Sequence, residues 1–342
     1  MRLGVRMAGK SSGRAAERLA VVDETQADRA TIEAYELITR KMRVGRVPLL
    51  FKALAAEQAL LPCWNAMRPA IRVRAFEEAA DDLRARAARA AVELGCPLIE
   101  TQLEWAGYDV DEIDEIRGMV DVFHYLDAKL LMAAAVLSQA LREGVGGVKR
   151  GPRAEQRVPR GVPQEMEHIE LVPEDSNGTL GKSFRSIRAH LGLGLVPDDF
   201  RALGRWPKYL ELAWRDARER DDEPRARSAL KELMQQADDA AQQLPERVHL
   251  PEEQLRAAGA DPLRVRALVE RFRKALPGLV LDLALFKVQL DGAQQARESP
   301  FPVRWKYISS DDYNTVPLEE EVKLRAGDPQ SLEDADSAGD NG

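Results

Sequence analysis

Apolar residues recur along this chain at intervals of three and four. Ile113, Ile116, Val120, Phe123, Leu130, Ala134 and Leu137 make one stripe, and Leu268, Phe272, Leu276, Leu279, Leu283, Phe286 and Leu290 make another. That spacing lines side chains up along one face of a helix, so each stripe predicts a long α-helix with a core-facing side. Pro277 and Gly278 interrupt the second stripe. They predict a kink or break there, because proline donates no amide hydrogen and crowds the preceding turn. No convincing strand alternation is found, and the helix formers Ala, Leu, Arg and Glu dominate, so the expected fold class is all-α.

The pattern is stated twice. Tyr35, Ile38, Val47, Pro48, Phe51, Ala53 and Leu54 return 149 positions later as Phe184, Ile187, Val196, Pro197, Phe200, Ala202 and Leu203. Trp64 matches Trp214, and Leu103, Ala106, Gly107 and Asp109 return as Leu255, Ala258, Gly259 and Asp261. A domain-sized unit duplicated and fused predicts an intrachain pseudo-dimer of two helical repeats, with the site in the cleft at their interface. Trp64 and Trp214, shared by both halves, are expected in the common core. The expected organisation is a loose basic extension at 1–20, repeat 1 at 21–143, a linker at 144–168, repeat 2 at 169–302 and an acidic, largely disordered tail at 303–342. The linker is rich in Gly, Pro and charge and is expected to cross the outside of both halves.

Composition narrows the function classes. The 342 residues carry a net charge of −7, which argues against binding nucleic acid through phosphate neutralisation. No apolar run approaches the roughly 20 residues that a membrane span needs. The N-terminal basic stretch lacks the apolar core of a signal peptide. Two cysteines, Cys63 and Cys96, fit a reducing compartment, and the cytoplasm is the expected location.

Function is expected where the halves disagree. Asp127 occupies the stripe position between Phe123 and Leu130, whereas the second copy has Leu279 at the aligned place. A carboxylate on a core-facing stripe is costly unless it is paired, protonated or set at a water-filled cavity. The plain alternative is that the helix rolls and Asp127 reaches solvent or a basic partner. Asp198 and Asp199 open a short helix after Pro197, where the first copy has Leu49 and Leu50. Helix capping would explain two acids there, but the first copy makes the same turn without any. Glu165 and His168 form a lone E-x-x-H lacking the further ligands of a metal site, so no metal is expected. His124 reads as a structural histidine. There is no G-x-S-x-G, no glycine-rich phosphate loop and no Cys-x-x-Cys.

The segment Asp199, Phe200, Arg201, Ala202, Leu203 with Trp206, Pro207 and Lys208, together with Leu290 to Ala293 and Ser299 to Pro302, resembles the group I 2-haloacid dehalogenases. These are also labelled halocarboxylic acid dehydrogenases and act on D and L isomers. The likeness runs from about Val21 to Pro302. It implies an all-α pseudo-dimer and a cofactor-independent hydrolase in which Asp199 activates a water for direct attack on the α-carbon, with inversion and halide release. It also implies departures: the family's active-site asparagine falls on Asp127, an aromatic pair on Arg46 and Leu49, and a pocket tyrosine on Leu130. Arg46 is expected either to neutralise Asp127 or to clamp a substrate carboxylate, and Phe272, Leu276 and Leu279 to form an apolar wall. The implied partner is a small halogenated carboxylic acid or related small organic acid, with a homodimer possible and no nucleic acid or membrane involved. A diverged small-molecule-binding or regulatory protein on the same scaffold is the alternative. Val47 to Trp64 is also similar to peroxidase-type domains of the carboxymuconolactone decarboxylase group, whose Cys-x-x-Cys is missing here.

Overall fold

The computed structural model describes residues 18–148, 158–159, 161–163, 166, 169–220, 223–301, 303 and 315–316. Its order is α1 (Arg29–Met42), α2 (Leu49–Ala56), α3 (Leu60–Ile71), α4 (Arg74–Leu94), α5 (Glu100–Trp105) and α6 (Val110–Ala140). There follow β1 (Val158–Pro159), α7 (Gly178–Leu191), α8 (Asp198–Leu203), α9 (Pro207–Arg220), α10 (Pro224–Gln242), α11 (Glu252–Ala257), α12 (Pro262–Gln295) and β2 (Thr315–Val316). The fold is all-α. Its one ladder among the described residues pairs β1 with β2, two residues on each strand. Six helices thus recur in one order: α7 begins 149 residues after α1, and α12 begins 152 after α6.

The long helices α6 and α12 lie against each other at the centre, with α4 and α10 packed on both. Their central turns are buried on every side, which explains why their apolar stripes are so wide. The start of α6 is fixed by a capping box: Asp109 accepts from the amide of Glu112, whose side chain accepts from the amide of Asp109. Trp64 and Trp214 are both buried, as expected of a shared core.

The break expected at Pro277 and Gly278 is absent. Helical backbone angles run through both, and the non-helical residue of α12 is Gly292, at φ 77° and ψ 174°. Proline removes one hydrogen bond from a helix, a cost of about 3 kcal/mol, which burial of the surrounding Leu276, Leu279 and Val280 offsets. At the opening of the linker, Val145 and Val248 exchange backbone hydrogen bonds of 2.8 Å. Glu165 and His168 lie outside the described residues, as do 1–17, 304–314 and 317–342.

Candidate active site

Asp127 stands in the middle of α6, where helix hydrogen bonds already consume the backbone amides. It does not roll to solvent: only 3% of it is exposed. The Oδ2 oxygen is buried without a hydrogen-bond partner. Asp199 lies in the first turn of α8 and is 2% exposed. The cap of that helix is Pro197, which makes no side-chain capping bond, and both oxygens of Asp199 are buried without a partner. Capping therefore does not account for this acid.

Both acids line one small, partly open cavity of about 30 Å³, together with Arg46, Leu49, Leu130, Asp198, Phe272, Leu276 and Leu279. Every residue that the sequence put at the site is thus brought together. Phe123, Leu126 and Leu193 complete the apolar wall with Val47, Pro48 and Pro197. Leu126 and Leu193 escaped the sequence reading because nothing distinguishes a cavity-lining leucine from a core one. The walls come from both helix series, and aligned positions carry opposite chemistry. Leu49 on α2 and Asp198 on α8 hold aligned positions and both line the cavity, as do Asp127 on α6 and Leu279 on α12.

The expected ion pair between Arg46 and Asp127 does not form. Arg46 gives Nη1 to the carbonyl of Ile169 at 3.0 Å and Nη2 to Asp198 at 3.4 Å, and its Nε is buried without a partner. Asp198, which holds the guanidinium instead, is the more accessible acid at 14% exposed and also meets Lys52 at 3.8 Å and Arg201 at 3.6 Å. Lys52, almost wholly buried on α2, also binds Asp23 and Glu24. It escaped the reading because a lysine inside an apolar run looks like a snorkelling surface residue.

Burial pushes Asp127 well above the usual carboxylate range, and the neighbouring Asp199 and Asp198 push it further. Asp199 is raised to about 7, first by burial and also by Asp198. The amides of Phe200 and Asp199 itself pull the other way, although neither reaches hydrogen-bonding geometry. Behind α6 a second buried group is fully satisfied. Glu77 binds Arg43 and Lys129, and Lys129 also donates to the carbonyl of Met42 and the hydroxyl of Tyr125. His124 is buried too, with its Nε2 unpartnered and its protonation disfavoured by burial and by Arg84 and Lys287. It does not line the cavity. Among the described residues no three His, Cys, Asp or Glu are placed to hold a metal ion, and no helix is long and apolar enough to cross a membrane.

The sequence model of the family described as Halocarboxylic acid dehydrogenase DehI matches residues 45–180, a span that includes Arg46, Asp127 and Leu130. An (R)-2-haloacid dehalogenase of Pseudomonas putida is 28% identical over 279 residues, 78% of this chain and 91% of that protein. An (R)-2-haloacid dehalogenase of Rhizobium sp. strain NHG3 is 32% identical over 184 residues, covering 53% of this chain and 70% of that protein. A configuration-inverting 2-haloacid dehalogenase of Alcaligenes xylosoxydans xylosoxydans is 27% identical over 79% of this chain and 93% of its own. The solved complex of a D-2-haloacid dehalogenase mutant with D-2-CPA superposes with a TM-score of 0.71 at 25% identity, over 80% of this chain and 96% of that one.

Proposed function

From the premise that this chain belongs to the family of 2-haloacid dehalogenases, hydrolases acting on carbon–halide bonds, we propose that Asp199 is its general base in a one-step displacement. Asp199 in its ionised form takes a proton from a water whose oxygen attacks the α-carbon of a 2-haloalkanoate. The carbon–oxygen bond forms as the carbon–halogen bond breaks, the halide leaves with the bonding pair, and backside attack inverts the centre. The proton stays on Asp199 until it passes to solvent. No ester to the protein is formed. An acid that serves only as base needs water within reach and shelter from bulk solvent. A buried acid with both oxygens unpartnered, lining a small apolar cavity, is the observation that carries the reading.

The other walls fit the same substrate. Arg46 Nε is a buried, unspent donor of a cation at the cavity, suited to the substrate carboxylate, while its two terminal nitrogens stay tied to Ile169 and Asp198. Phe272, Leu276 and Leu279 suit the halogen and alkyl group. The two helix series read as copies of one duplicated unit, and their difference leaves one base in one cleft. Because two of the named relatives are (R)-2-haloacid dehalogenases and the superposed structure is a D-2-haloacid dehalogenase, we place the D isomer first. Comparable turnover of the L isomer would restore the wider group I reading. A scaffold that had lost its chemistry is not favoured, since the second copy keeps the buried acid.

Halide release from D- and L-2-chloropropionate tests this. Asp199→Ala should lose about 10²–10⁴-fold in kcat, and one turnover in oxygen-18 water should leave the protein unlabelled. Activity surviving in Asp199→Ala removes the base. Label in an aspartate means an ester route instead.

A further inference from the structure

Asp127 and Asp199, with three buried and unpartnered oxygens between them, line one small apolar cavity that Asp198 lines too. Two ionised carboxylates there would oppose each other at low effective dielectric and would repel an anionic substrate. One proton must reside on the pair, and the backbone decides where. Asp199 lies in the first turn of α8 beside amides not consumed by the helix, whereas the amides around Asp127, in the middle of α6, are spent on helix hydrogen bonds. The charge belongs on Asp199 and the proton on Asp127.

We propose that Asp127 works as a neutral carboxylic acid and is itself a catalytic residue: its carbonyl oxygen accepts the second hydrogen of the water that Asp199 deprotonates. This deepens the dehalogenase reading and rests on it. Asp127 neither gains nor loses its proton in the cycle, so atoms and charge balance as already written. Neutrality also removes the repulsion that a second carboxylate would present to the substrate.

The groups around Asp127 support that assignment. Across the cavity α8 presents Asp199 and Asp198, and the loop before α2 presents Arg46, whose terminal nitrogens are engaged by Asp198 and Ile169. From α12 only Phe272, Leu276 and Leu279 line the cavity; Asp282, the next acid along that helix, does not. On α6, Lys129 is committed to Glu77 and Tyr125, and His124 lies near Arg84 and Lys287. On α2, Lys52 is held by Asp23, Glu24 and Asp198, and among the described residues Asp127 forms no ion pair, Arg46 Nε staying unspent for the substrate.

The experiment compares wild type, Asp127→Asn and Asp127→Leu in halide release from D-2-chloropropionate across pH, and in the infrared carbonyl stretch of protonated carboxyl groups near neutral pH. Asn can accept the same hydrogen without titrating, so it should exceed Leu by about 10²-fold in kcat. Wild-type activity should rise as Asp199 ionises and fall again on the alkaline side as Asp127 loses its proton. The asparagine variant should lose only the alkaline fall. The part of the infrared band that persists at a pH where Asp199 has ionised should be present in wild type and missing from Asp127→Asn. A wild type without that part of the band, an alkaline fall that persists in Asp127→Asn, or equal rates for Asn and Leu in proteins of wild-type helicity overturns the proposal. Failure of the dehalogenase reading would show differently, as no halide from any of the three proteins, and the infrared band would then decide the proton on its own.

Discussion

Glu77 is the one anion in a buried group that holds two cations. Burial works to raise its carboxyl, but Arg43 and Lys129 outweigh it and hold Glu77 below its ordinary value. Lys129, shared out and desolvated, falls to about 7, through burial first and Arg43 next. Removing only the anion leaves two buried cations facing a neutral amide, the arrangement in which broken buried pairs are most costly. Glu77→Gln should therefore lose about 3–5 kcal/mol in urea unfolding, and a loss below about 1 kcal/mol would place the network's worth elsewhere. A carboxylate held low in the folded state stabilises above its unfolded pKa, and that contribution fades as pH falls through the folded value. The gap between the two proteins should hence be widest near neutral pH and narrow in acid. The same logic separates this group from the cavity pair. Glu77 has cations paired with its charge, whereas among the described residues neither Asp127 nor Asp199 forms an ion pair, so burial wins there.

At the scale of elements, the two long helices are anchored differently. An ionic group ties α6 to α12: Lys287 binds Asp121 and Asp291, and Asp291 also meets Arg117 at 3.3 Å. Directly after it comes Gly292, in a region of backbone space that essentially only glycine occupies. A methyl group there would find ordinary contact with Leu98 at 3.7 Å, so space is not the obstacle. Gly292→Ala should still cost about 1–3 kcal/mol of backbone strain, read as a lowered thermal midpoint. A neutral result would mean that the end of α12 rearranges freely. Pro277 is the reverse case, an interior proline that packing retains inside a continuous helix.

For the whole molecule, buried apolar residues of both helix series belong to one continuous core. A core that is not divided predicts that neither half unfolds by itself. Trp64 lies in the first series and Trp214 in the second, each with an aromatic neighbour at its edge, Phe51 and Phe200. Replacing either tryptophan with Phe and following the fluorescence of the rest alongside helical circular dichroism should give coincident transitions. Separated midpoints would show two units of independent stability. A single core also suits the cavity, whose walls are drawn from α2, α6, α8 and α12 and keep their spacing only while all four stay packed.

The sequence by itself determined the helical class, the two long stripes and the wide core, because helix periodicity and burial are written in local spacing. Comparing its two copies with each other was enough to single out Asp127, Asp198 and Asp199, since a polar residue aligned with an apolar counterpart needs no coordinates to be noticed, and the family resemblance added Arg46. Only the tertiary structure decided how those charges are distributed. Whether Arg46 meets Asp127 or Asp198 depends on a few ångströms set by loops and helix ends far apart in the chain, and the more accessible acid took it. Continuity through Pro277, the commitment of Lys52 and the lining role of Leu126 and Leu193 were likewise settled by packing. Burial and partner choice belong to the assembled core, and no local pattern of residues encodes them.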